Sequence, residues 1–184
     1  MNKNMPSWDD VLTKVREIVN ESVDPDKPLR DDLPLMAEQG LDSLDLIELS
    51  FSMQEFFEFE FSDKNAIEEL ERALGDHSIV GEDGRLTAKG REMVLKRMPE
   101  LKDIALPEDL TPLQLQQYFT VETFARLALE FFEAAPEICP QSGETIVADG
   151  FKVMTENSKK PVKLPSGDEL IDRWVEETVA TVKA

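Results

Sequence analysis

The residues of this 184-residue chain that could do chemistry are few in kind and unevenly placed. There is one cysteine, Cys139, and one histidine, His77. An internal disulfide framework is therefore excluded, and a zinc site or a Ser/His or Cys/His catalytic pair lacks its raw material. His77 sits in GDHSIVGEDG, a loop composition, and reads as a surface residue. Carboxylates are what the chain has in quantity: 39 Asp plus Glu against 20 Lys plus Arg, a formal charge of −19. A calcium loop over Asp76 to Thr87 fails, because valine stands at its fifth position and threonine where a bidentate Glu is needed. No metal site is expected. What remains is Ser43, in QGLDSLDLIEL. A serine in the first turn of a helix presents its hydroxyl to solvent beside unsatisfied backbone amides, and the positive end of the helix dipole favours an attached phosphate. Two readings stand: an ordinary helix-start serine, or the attachment point of a phosphodiester. Nothing near Ser43 could act as a histidine base, which suits a residue modified by another enzyme rather than a nucleophile activated at home.

Several elements must position that serine. Trp8, Val11, Leu12, Val15, Ile18 and Val19 recur at helical spacing, so Ser7 to Asn20 reads as a first helix, with Ser7 as N-cap and Asp10 in a capping-box position. Asp24 to Pro34 carries three prolines and reads as a long loop. The helix bearing Ser43 should begin at Asp42 and end near Glu58, with Leu46, Ile47, Leu49, Met53, Phe56 and Phe57 on its apolar side. The alternation Phe57, Phe59, Phe61 then suits an extended segment over the core. A third helix is expected from Ser62 or Asp63 to Leu74, a short hairpin around Asp83-Gly84, a helix from Thr87 to Met98, and a strong helix from Thr120 to Glu133. Beyond Pro136, TIVADGFKVM reads as a second hairpin, KKPVKLPSG as a linker and Asp168 to Val182 as a terminal helix.

The segment Gln39 to Leu49 resembles the attachment segment of acyl carrier proteins, whose mark is Asp-Ser-Leu at the start of the second helix. Gly40 before the triplet, Asp45, Glu48 and Leu49 after it, EFFEFEFSDKNA further on and TVETFARLALEFF as a final helix extend the match. The resemblance implies a mainly α protein built on a four-helix bundle, with 4'-phosphopantetheine carried on Ser43. A separate phosphopantetheinyl transferase would attach the arm from coenzyme A, and acyl groups would ride on it as thioesters. The carrier itself would be no enzyme. The resemblance further implies that Asp42, Leu44, Asp45, Glu48 and Glu55 meet basic patches on acyl-loading, condensing or acyl-transfer enzymes. It also implies that Phe51, Met53, Phe61, Ala66 and Ile67 line a pocket for the acyl chain, although core packing accounts for such residues equally well. As a solvated helix face the acids need no partner; as a docking face their charge would speed encounter and fix orientation. Gln54 departs from the family's usual acidic pair, leaving Glu55 alone, and the phenylalanine content exceeds what the resemblance leads one to expect.

The likeness covers about residues 5–66 and 119–133. Roughly fifty residues, Ile67 to Tyr118, stand where the family has a few, and the tail after Ala134 has no counterpart. The expected organisation is an acyl-carrier-like helical domain at 1–133, with a helical and hairpin insertion at about 67–118, and a C-terminal hairpin-plus-helix extension at 134–184. From Glu38 to Glu60 there are seven acids and no Lys or Arg, whereas Arg85 to Lys102 carries six basic residues against two acids. That contrast suggests that the basic helix folds near the acidic one and covers Ser43 or its cargo; equally, its charges are a solvated face with Met93, Leu95 and Met98 packed on the core. So acidic a surface repels phosphate backbones and anionic headgroups, so neither nucleic acid nor membrane is an expected partner. The opening MNKNMPSWDD lacks the apolar stretch of a secretory signal, and no run of residues is apolar enough to span a bilayer. A cytoplasmic monomer serving fatty acid, lipid or polyketide synthesis is the resulting expectation, with an unmodified acidic adaptor on the same fold as the alternative.

Overall fold

A computed structural model describes residues 5–23 and 29–182. The first helix, α1 (Trp8–Val23), starts at Ser7, whose hydroxyl and N–H both donate to Asp10, the anticipated box. Of the proline-rich loop, residues 24–28 lie outside the described part. The rest of that loop is pinned at several points: the Arg16 Nε donates to Asp31 at 3.0 and 3.1 Å, the Leu35 N–H donates to the Phe119 carbonyl, and the Ala37 N–H to that of Gln117. These bonds hold the approach to Ser43 against the entry of a later helix.

Next come α2 (Ser43–Phe57) and α3 (Ala66–Leu74). The third helix begins three or four residues later than its sequence suggests. Ser62 is turned away to donate to Asp168, and Asn65 becomes the cap, its side-chain oxygen accepting from the Ile67 N–H at 3.0 Å. The expected hairpin at Asp83-Gly84 is reduced to one antiparallel bridge, Val80 to Leu86. Its two ladder bonds are the Gly81 N–H to the Arg85 carbonyl and the Thr87 N–H to the Ile79 carbonyl, and the ladder goes no further because Thr87 caps the next helix. α4 (Ala88–Arg97) is capped by Thr87, and the proline-bearing stretch after it forms two 3-10 segments, Pro99–Asp103 and Leu113–Tyr118. α5 (Val121–Glu133) carries a reciprocal Thr120/Thr123 capping box. The hairpin β1 (Ile146–Asp149) and β2 (Lys152–Thr155) turns at Gly150 with φ +61°, and α6 (Gly167–Val182) closes the chain. The stretch read as a linker is tied down: the Val162 N–H donates to the Val153 carbonyl, and Leu164 is buried.

Two hydrophobic clusters result. In the first, α1, α2 and α5 bury Val11, Val15, Val19, Leu49, Met53, Ala125, Ala128 and Phe132. The second is built by α3, α4 and the 3-10 segments around Ile67, Leu70, Ile79, Val94, Leu101 and Leu110. The final helix spans both, with Leu170 in the first and Trp174, Val175 and Val179 against the second. The phenylalanines have a structural purpose. Phe59 stacks on Phe131 at 4.0 Å and on Phe57 at 5.5 Å, and Phe57 meets Phe151 of the hairpin edge-on at 5.2 Å. Such pairs add to what area burial alone supplies, so they fasten the tail to the bundle. The whole is mainly α with one small two-stranded sheet, consistent with the expected carrier-like helical fold with extensions.

Candidate functional site

Gly40 sets the direction of entry into α2 with a φ of +85°, a conformation that side-chain-bearing residues avoid. Asp42 then caps the helix: its carboxylate accepts from the Leu44 N–H at 2.7 Å and the Asp45 N–H at 3.1 Å, while the Asp45 carboxylate accepts from the Asp42 N–H at 2.7 Å. Ser43 follows as the first helical residue and is exposed. The amides around it are thus not waiting for a phosphate, as the residue types suggested. Two carboxylates already hold three of them, so a phosphodiester on Ser43 would project into solvent.

One face of α2 looks outward. Leu44 is 71 % exposed, Ile47 52 % and Phe51 66 %, flanked by exposed Glu48 and Glu55; Ile47 and the 43 % exposed Phe56 are thus not on the buried side as expected, which is Leu46, Leu49, Met53 and Phe57 alone. None of Asp42, Asp45, Glu48 and Glu55 is in an ion pair among the described residues. The basic helix does not pair with them. Lys96 bonds Glu92 on its own helix, Arg91 donates to the Pro107 carbonyl, and Arg97 reaches Glu130 on α5.

On the other side of Ser43 lies a cavity of about 440 Å³, within the ordinary range for small-molecule sites. Ser43, Leu46, Ile47 and Ser50 of α2 border it, as do Phe61, Ala66 and Ile67. Of the five residues named for an acyl pocket, three therefore line this space. Phe51 instead points to solvent, and Met53 is fully buried against the first cluster, because the two stand on faces of α2 that turn away from the cavity.

The remaining walls come from α5, α6 and the stretch between α3 and α5, of which only the basic helix is expected near Ser43 from its charge. The insertion supplies Arg97, Met98 and Leu113, α5 supplies Leu127 and Glu130, and α6 supplies Gly167, Leu170 and Ile171. Charge pattern marks the basic run that holds Arg97, but the others are marked at most by helical periodicity, which reports burial without saying what the buried face meets. α6 is held there by the Gly167 N–H donating to the Glu60 carbonyl at 2.8 Å and by Lys64 bonding Asp172 at 2.8 Å. That bond to Asp172 raises the Lys64 ammonium above its ordinary value. The Arg97 Nη2 donates to Glu130 Oε2 at 3.0 Å; burial lifts the Glu130 carboxyl above the usual carboxylate range, against the opposing pull of Arg97.

An exposed primary hydroxyl beside a largely apolar cavity fits a serine that carries a flexible prosthetic arm. Among the described residues no cluster of His, Cys, Asp or Glu could hold a metal ion, and no helix is long and apolar enough to cross a membrane. No curated protein and no solved structure matches the chain. Residues 9–74 match the family model of the phosphopantetheine attachment site, and this stretch, from α1 to the end of α3, is a 4'-phosphopantetheine carrier domain consistent with the acyl carrier protein family.

Proposed function

We propose that the protein is a specialised acyl carrier that bears its arm on Ser43, is not itself an enzyme, and holds its cargo in the cavity beside that serine. The observation that carries the reading is that Ser43 borders both solvent and this cavity, so one attachment point serves partner enzymes outside and cargo inside. When bound, the arm supplies a thiol on which acyl groups form thioesters. The chain's own residues do the rest. Asp42 and Asp45 fix the first turn of α2 and keep the hydroxyl exposed. Asp42, Leu44, Asp45, Glu48 and Glu55, with Ile47 and Phe51 among them, offer an acidic and apolar face to basic patches on the transferase and on acyl-handling enzymes. Such complementarity mainly speeds encounter and sets orientation, which suits a carrier that must leave each enzyme it visits. Phe61, Ala66 and Ile67 form the near wall of the cargo space. Lipid, fatty acid or polyketide synthesis in the cytoplasm is the setting that this reading implies.

The test uses the protein's own cleavage pattern. No Lys or Arg lies between Arg30 and Lys64, so trypsin releases Asp31 to Lys64 as one peptide. After incubation with coenzyme A and a promiscuous phosphopantetheinyl transferase, that peptide should gain the mass of the arm, and the Ser43→Ala protein should not. A peptide of unchanged mass would leave the acidic adaptor as the reading.

A further inference from the structure

The cavity is mostly apolar, with Leu46, Phe61, Met98, Leu127 and Leu170 in its walls. Arg97 interrupts that surface, and its side chain is only 6 % exposed. The guanidinium makes one hydrogen bond, Nη2 to Glu130 Oε2 at 3.0 Å, and lies 4.8 Å from the centre of the Trp174 ring. A guanidinium carries five N–H donors in a rigid fork, and buried donors are met by protein, water or ligand. Among the described residues, one of these donors has an acceptor and Glu130 Oε1 receives no hydrogen bond; the unpaired atoms of both groups are not fully enclosed and stay accessible to a ligand or water. A clamp between the insertion and α5 does not need this pair, since Arg126 Nε already donates to Glu100 Oε2 at 2.6 Å between the same two segments. Arg97 and Glu130 border the space that Ser43 borders.

We propose that the cavity takes an oxygenated acyl group, with a hydroxyl or keto oxygen along its chain, and that Arg97 with Glu130 reads that oxygen. The inference rests on the carrier reading of Ser43 and adds the class of cargo. A hydroxyl accepts from Arg97 and donates to the free Glu130 oxygen; a keto oxygen accepts from Arg97. A saturated chain strips water from the same donors and returns nothing, and a buried donor left unmet costs more than the bond it would have made.

The experiment loads the intact protein, through a phosphopantetheinyl transferase, with octanoyl, 3-hydroxyoctanoyl, 3-oxooctanoyl and 8-hydroxyoctanoyl groups, and follows loading by intact mass. Hydroxylamine cleavage of each thioester is then timed and divided by the rate for the same group on coenzyme A. At least one oxygenated cargo should be cleaved about tenfold more slowly than octanoyl after that correction. Arg97→Met keeps the apolar stem and removes the donors, and should erase the margin. A second readout needs no variant: the Arg97 Nε NMR signal should shift on loading the protected cargo and stay put on loading octanoyl. Octanoyl protected as well as every oxygenated group, or an Arg97 signal blind to cargo, overturns the proposal and leaves the carrier reading standing. Failure of the protein to gain any arm overturns both.

Discussion

At the scale of single residues, carboxylates do two jobs here. Asp42 and Asp45 spend their charge on backbone amides at the start of α2 and leave Ser43 free. Glu71 does the same near the end of α3, accepting from the N–H groups of His77 at 2.8 Å and of Ile79 and Val80 at 2.9 Å. Burial alone would raise its carboxyl, but these three donors outweigh it and hold the group below the ordinary carboxylate range. A depressed folded value means that the stabilisation is complete above the ordinary carboxylate value and is lost as pH falls through the depressed one. Glu130, raised by burial, works in the opposite sense: its contribution is present at low pH and lost as pH climbs. Comparing Glu71→Gln with the parent isolates the first effect. Urea midpoints measured from about pH 3 to about pH 6 should show the variant weaker by about 1–2 kcal/mol at the upper end, with the gap closing as the parent's carboxyl protonates. A gap of constant size would show that the Glu71 charge does nothing for the 77–80 loop.

At the scale of elements, segments outside the matched residues 9–74 supply walls of the cavity beside Ser43. α6 can lie where it does because residue 167 has no side chain. A Cβ there would stand 2.3 Å from the Ser62 nitrogen and 2.7 Å from the Phe61 carbonyl carbon, both backbone atoms with little room to yield. Gly167→Ala should therefore lift the start of α6 from the 60–62 segment, enlarge or open the cavity, and speed hydroxylamine cleavage of any loaded thioester. Cleavage at the parent rate would mean that α6 is not a wall that matters. The helices themselves were legible in the residue pattern, as were Ser7 and Asp42 as caps, because periodicity and capping are local. The destination of α6 was not. Its Leu170 and Trp174 announce a buried face, yet the surface they bury against is a hundred residues away and depends on one missing Cβ. Arg97 was obscured for a related reason: in a run of six basic residues it looks like solvated charge, and only the fold shows that it alone turns inward to Glu130.

At the scale of the whole molecule, the question is whether the insertion is a passenger or part of one cooperative unit. The cluster it forms with α3 is separate from the first, yet four ties cross between them. α6 contributes Leu170 to one and Trp174 to the other, Phe119 packs on both, Arg97 pairs with Glu130, and Arg126 pairs with Glu100, whose side chain is 2 % exposed. Separating the clusters would leave Glu100 either stripped of its partner in a buried place or hydrated only after the insertion has opened, and breaking a buried pair one side at a time is costly. The two tryptophans make this measurable. Trp8 packs on the first cluster beside Arg126, and Trp174 on the second beside Arg97. Trp8→Phe and Trp174→Phe each leave a single fluorescent reporter, one per cluster. If the ties hold, each variant's fluorescence curve in urea should coincide in midpoint and slope with its own far-ultraviolet circular dichroism curve. A Trp174 signal lost well before the helical signal would mean that the insertion opens alone, and the cavity wall that it supplies would then be a gate rather than a fixed part of the site.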